Sequence, residues 1–215
     1  MKNVHTLQAD SLLFDLDGTL WDSVDQVVLT WNTVISRYPG LRDPITRQEQ
    51  ESLMGLQMDE IARRLFPGET SERQALLMDA CVQAENAYLR KHGANLYPAL
   101  QETLDVLHRR YPLYIVSNCQ SGYIEAFLAA HRLEPFFSGF SCFGDTGYSK
   151  GENIRLLVAQ QGLQYPWYVG DTQGDLEAAR YAEVPFVHAA YGFGCADCAD
   201  ARIQTFSDLL QLFSS

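Results

Sequence analysis

Residues 12 to 23 read LLFDLDGTLWDS. Three apolar residues stop at two aspartates one position apart, and Gly18 and Thr19 break the pattern. This is the signature of a buried strand that ends in an acid-bearing turn. The strand period of two points Asp15 and Asp17 to the same side. Two carboxylates held there repel unless a cation or a shared proton compensates. An Asp-Gly turn can also use one aspartate as a cap and leave the other in water, so the rest of the chain must decide.

After the turn the period becomes helical. Val24, Val27, Val28, Trp31, Val34, Ile35 and Tyr38 share one face of a long helix, with Asp22 or Ser23 as N-cap and Pro39-Gly40 as the stop. Further helices are expected at about 46–54, 58–65 and 71–92, and nothing between Trp21 and Asn95 alternates like a strand. From Pro98 onward helices and strands alternate. Strands are expected at 113–116, near 140–143, at 167–169 and at 186–188, the last clear one. Such alternation predicts an α/β fold, a Rossmann-like parallel sheet with helices on both faces, interrupted after its first strand by an all-helical block. Residues 1–20 and 97–215 are expected to form the core and 21–96 the inserted block. Candidate hinges lie near Leu20 to Asp22 and near Gly93 to Pro98.

Composition narrows the function. With 215 residues, 47% of them hydrophobic, the chain can bury a sizeable core. Its net charge of -11 argues against a nucleic-acid partner. No run reaches membrane-span length, and the start has no apolar stretch of signal-peptide length, so a cytoplasmic protein is expected, a monomer or homodimer. Five scattered cysteines fit reduced thiols. Cys195 and Cys198 form a lone CxxC without the second ligand pair that a structural zinc site needs.

Ligands of open parallel sheets bind outside the carboxyl ends of the strands, and the polar clusters fall there. Asp15 and Asp17 follow the first strand, Ser117 and Asn118 the second, and Gly170, Asp171 and Asp175 the fourth, while Lys150 opens a helix after the third. Each alone has a bland reading as a cap, a turn or a surface charge. Together they suit phosphoryl transfer through a carboxylate. Asp15, Asp17 and Asp171 offer hard oxygens to Mg²⁺, and Ser117, Lys150 and the backbone of the turn through Gly18 offer donors to phosphate.

These residues carry a resemblance. FDLDGTL at 14–20, VSN at 116–118, Lys150 and GDTQGD at 170–175 are similar to the four motifs of the haloacid dehalogenase superfamily. The helical insertion resembles the type C1 cap of its phosphoglycolate phosphatase-like branch. The resemblance implies a three-layer α/β/α core and a Mg²⁺-dependent phosphatase acting on a small phosphorylated metabolite, with phosphoglycolate a candidate. It implies Asp15 as nucleophile and Asp17 as general acid and base. Phosphate binding would fall to Ser117, Asn118, Lys150, Gly18 and Thr19, and metal ligation to Asp15, Asp17 (through its carbonyl), Asp171 and Asp175. Trp21, Met54, Gly55 and Gln57 are candidates for the surface facing the leaving group, and Arg42, Arg47, Arg63 or Arg64 for meeting an anionic tail, although each arginine reads first as part of a solvated helix face. Two positions depart from the family pattern: Ala99 stands where Gly is common, and Gly151 rather than Pro follows Lys150. The rivals are a phosphosugar mutase, disfavoured by Gly170, and a silent phosphate-binding module. Hydrolytic dehalogenases lack the second aspartate, and phosphonatases need a cap lysine, for which Lys91 is poorly placed.

Overall fold

The computed structural model describes residues 7–213, so the first six and last two residues of the expected core lie outside the described residues. In chain order, Ser11–Phe14 is strand β1 and Trp21–Asp22 is β2. Helices Val24–Ile35 (α1), Arg47–Glu51 (α2), Met58–Leu65 (α3) and Ser71–His92 (α4) follow, then strand Asn95–Leu96 (β3). The chain continues through Leu100–Leu107 (α5), Leu113–Ser117 (β4), Tyr123–His131 (α6), Gly139–Cys142 (β5), Phe143–Thr146 (α7) and Lys150–Gln161 (α8). It ends with Pro166–Gly170 (β6), Gln173–Tyr181 (α9), Phe186–Ala189 (β7), Ala201–Ile203 (β8) and Leu209–Leu212 (α10).

Six strands form one parallel sheet in the order β5-β4-β1-β6-β7-β8. The strands read as continuous apolar runs because both faces are covered. Leu12 and Phe14 of β1 join Leu104, Phe127 and Leu209 on the side of α5, α6 and α10. Leu13 joins Ile154, Leu157 and Leu176 on the side of α8 and α9. The central place of β1, flanked by β4 and β6, brings Asp15 beside the ends of both neighbours.

The helical block has its own apolar centre. Val27, Trp31, Val34 and Ile35 of α1 pack with Ile61 and Leu65 of α3 and Leu77, Met78 and Cys81 of α4. It joins the sheet through a two-stranded antiparallel link, in which Trp21 pairs with Leu96 and Asp22 with Asn95. Trp21, expected at the leaving-group surface, is instead fully buried. Its indole packs on Tyr123, Phe127 and His131 at centroid distances of 5.5, 4.9 and 5.9 Å. A ring of that size at the crossing supplies the apolar contact that a two-residue strand lacks.

Several boundaries differ from those the sequence suggests. The helix expected at 46–54 is only Arg47–Glu51, capped by the Thr46 hydroxyl on the Glu49 amide and followed by Gly55 with φ +80. The first helix ends at Ile35 rather than Tyr38. Strand β8 has three residues and was not foreseen. Ala99 occupies the left-handed region with φ +59, where Gly is the unstrained choice. The other departure has a packing cause: a Cβ on Gly151 would lie 2.8 Å from Cδ1 and 3.1 Å from Cβ of Tyr181.

Candidate active site

The loop after β1 positions its carboxylates through its own backbone. The Gly18 amide donates to Trp21 O at 2.9 Å and the Thr19 amide to Leu16 O at 3.3 Å. The two residues expected to hold phosphate by these amides therefore spend them inside the turn. Among the described residues the amides of Leu16 and Asp17 keep no such partner, so these two, rather than those of Gly18 and Thr19, are left for an anion. Thr19 is fully buried with its hydroxyl unpartnered.

Asp15 is 3% exposed and faces Lys150 and Asp175. Lys150 Nζ lies 2.6 Å from Asp175 Oδ1, which it hydrogen-bonds, and 2.9 Å from Asp15 Oδ1. The second contact is a buried ion pair, so one ammonium serves both carboxylates. Burial would discharge Lys150, but Asp15 and Asp175 hold its ammonium above the ordinary range. Burial likewise works against an ionised Asp175, and Lys150 and Thr172 overcome it, keeping that carboxyl low. The other Asp175 oxygen accepts from the amides of Asp171 and Thr172 and from the Thr172 hydroxyl, at 3.2, 3.0 and 2.7 Å. Both its oxygens are thus engaged in holding Lys150 and the start of α9.

Asp171, at the end of β6, is fully buried. Its Oδ2 accepts from the amides of Phe193 and Gly194 at 2.8 and 3.2 Å, and its Oδ1 has no partner. Burial, then the neighbouring Asp175 and Asp15, push this carboxyl up. One oxygen each from Asp15, Asp171 and Asp175 lie within 4.8 Å of one another, the one such grouping among the described residues. Crowded hard oxygens, with Asp171 Oδ1 left without any partner, are what a Mg²⁺-sized ion would relieve; the donor set fits.

Asp17 sits in a network the sequence did not reveal. Its Oδ1 accepts from the Ser23 hydroxyl at 2.7 Å and from the Tyr123 hydroxyl at 2.9 Å. Burial pushes its carboxyl up to about 6 against those two hydrogen bonds. Tyr123 lies 106 residues away in sequence, and nothing local signals the pairing. Ser23, read as a helix cap, makes no side-chain cap bond.

Above these groups the helical block closes a small cavity of about 40 Å³, lined by Asp15, Asp17 and Ser117 below and by Trp31, Leu53, Met54, Gly55 and Glu85 above. Asn118 reaches across, its amide donating to Gly55 O at 2.9 Å. That bond makes it a tie between the layers. Met54 and Gly55 line this cavity, whereas Gln57 lines a separate recess with Ser149, Lys150 and Tyr181. The four arginines do not reach the cavity. Arg42 pairs with Glu49, Arg47 with Asp22, Asp25 and Glu51, Arg63 with Asp59 and Glu60, and Arg64 with Glu60. Lys91 is exposed, and Gly170 is required because any Cβ there would strike the Asp175 side chain at 2.6 Å.

Known proteins resemble the chain along nearly its whole length. A phosphoglycolate phosphatase of Synechococcus elongatus is 32% identical over 209 residues, covering 94% of this chain and 95% of its own. One from Aliivibrio fischeri is 28% identical over 213 residues, covering 92% and 91%. Among solved structures, a predicted phosphoglycolate phosphatase from Haemophilus somnus superposes with a TM-score of 0.85 at 22% identity over 96% of this chain and 98% of its own. CbbY from Rhodobacter sphaeroides, in complex with xylulose-1,5-bisphosphate, superposes with a TM-score of 0.81 at 18% identity, covering 94% and 96%. Residues 12–189 match the sequence profile described as haloacid dehalogenase-like hydrolase, and the chain belongs to that family.

Proposed function

We propose that the protein is a Mg²⁺-dependent phosphatase that hydrolyses a small phosphomonoester through an aspartyl-phosphate on Asp15. The observation that carries this reading is the buried set of Asp15, Lys150, Asp171 and Asp175 at the carboxyl edge of the sheet, beneath a small cavity walled by the helical block. Residues 1–20 and 97–215 act as the catalytic unit and 21–96 as its cap. Phosphatase activity is also what the names of the two sequence relatives carry.

Mg²⁺ held by Asp15, Asp171 and the Asp17 carbonyl would offset the charge between phosphate and carboxylates. Asp15 attacks phosphorus as nucleophile. Lys150, the Ser117 hydroxyl and the amides of Leu16 and Asp17 hold the phosphoryl oxygens. Asp17, near 6, gives a proton to the leaving alkoxide and then takes one from the water that cleaves the aspartyl-phosphate. Ser23 and Tyr123 aim it, and Asp175 positions Lys150. Gly170 leaves no room for the acidic neighbour that a mutase would use there, which favours water as the acceptor. The compartment that fits is the cytoplasm; in the described residues no helix is long and apolar enough to cross a membrane.

The test is release of phosphate from acetyl phosphate and p-nitrophenyl phosphate, with Mg²⁺ and with a chelator. The native protein should turn over only with the metal, and Asp15→Asn should fall to background. Equal rates for the two proteins would end the reading.

A further inference from the structure

The cavity under the cap has a one-sided charge. Of the side chains that line it, Asp15, Asp17 and Glu85 are acids, and none is lysine, arginine or histidine. Asp15 and Asp17 belong to the phosphoryl end. Glu85 comes from the helical block, on α4, and lies near enough to Asp17 and Gln120 to interact with both. It is 3% exposed, and its Oε2 accepts from the Trp31 indole at 2.8 Å. Burial pushes the carboxyl up to about 8, so at neutral pH it can both donate and accept a hydrogen bond. Gln50, in the same lining, is 2% exposed with its carbonyl oxygen unpartnered. The remaining cap wall, Trp31, Leu53, Leu56 and Met58 among it, is apolar.

A carboxylate brought into this space would give up water and gain no cation. A hydroxyl would find two buried groups of matching polarity, and a short carbon chain would find an apolar wall. We infer that the leaving group of the substrate is a compact, uncharged alcohol carrying a further hydroxyl, which Glu85 and Gln50 hold, and that the cap selects against an anionic tail such as that of phosphoglycolate. The inference rests on the phosphatase reading and goes beyond it to substrate class.

The experiment uses the native, Mg²⁺-loaded protein and two matched pairs: 2-hydroxyethyl phosphate against 2-phosphoglycolate, and glycerol 3-phosphate against 3-phosphoglycerate. Each pair differs by a hydroxymethyl in place of a carboxylate. Ethyl phosphate reports the contribution of the hydroxyl alone. Values of kcat/KM at least tenfold higher for the alcohol of each pair, with 2-hydroxyethyl phosphate above ethyl phosphate, are expected. A carboxylate equal to or faster than its alcohol in either pair overturns the inference, as does ethyl phosphate equal to its hydroxylated analogue. Acetyl phosphate, run beside Asp15→Asn, separates the two levels. Asp15-dependent turnover with the wrong preference sinks the substrate class alone, and absence of turnover sinks both.

Discussion

Lys150 is the cation on which the buried acids depend, since it touches both Asp15 and Asp175. Removing one partner of such a group leaves uncompensated buried charge, at a cost of about 3–5 kcal/mol. Lys150→Met should lose stability of that order in urea unfolding of metal-free protein, and added Mg²⁺ should recover part of it. Tyr123→Phe removes a donor to Asp17 but keeps the ring on Trp21. Its expected effect is a fall in kcat of roughly tenfold with little change in KM, since a hydrogen bond to a charged group is worth about 1.5–3 kcal/mol; steady-state kinetics check it. Asp15, Asp17, Lys150 and Asp171 were legible in the sequence because their residue types sit at strand ends where only certain chemistry is served. Tyr123 and Glu85 were not, because each acquires its role from a partner far along the chain. The arginines follow their plainer reading as helix-face charges: Arg42, Arg63 and Arg64 pair with acids within seven residues, and Arg47 with Glu51 and, across the block, with Asp22 and Asp25.

At the scale of elements, the two departures from the family pattern have opposite signs. Ala99 is held in the left-handed region just before α5, so Ala99→Gly should raise stability by up to about 1 kcal/mol, the relief of strain less the entropy that glycine adds to the unfolded chain. Thermal unfolding at fixed pH measures it. Gly151 lies in the first turn of α8, where proline is tolerated by the backbone. Tyr181 forbids it sterically, so Gly151→Pro should cost about 1–3 kcal/mol, and much of that should vanish in the double variant with Tyr181→Ala. The first helix of the block was legible from the apolar face that Val24, Val27, Trp31, Val34 and Ile35 form. Strand β8 was not, since three residues with one buried side chain carry no period; it forms because β7 offers an unpaired edge.

For the molecule as a whole, the closed cap places a carboxyl in the interior. Glu85 takes up its proton more tightly folded than unfolded, where its ordinary value is 4.5 against about 8 in the fold. The folded chain therefore holds the extra proton between those values, and this contribution to stability is lost as pH rises from about 4.5 to about 8. Unfolding of the native protein should become easier across that window than unfolding of Glu85→Gln, with the difference flat above it. The order of strands and the inserted block could be read from alternation of patterns. The way the cap sits on the sheet could not, because it rests on pairings between distant segments, Leu89 of α4 with Phe127 of α6 and Asn118 with Gly55 among them, that no periodicity announces.

Trp21 has a consequence of another kind. A fully buried indole stacked edge-on against Tyr123, Phe127 and His131, at the place where the chain passes from sheet to cap, is an optical reporter built into the joint. Any swing of the helical block must alter the polarity and quenching around it. In a Trp31→Phe, Trp167→Phe background, its emission would follow opening and closing in real time, with no label attached.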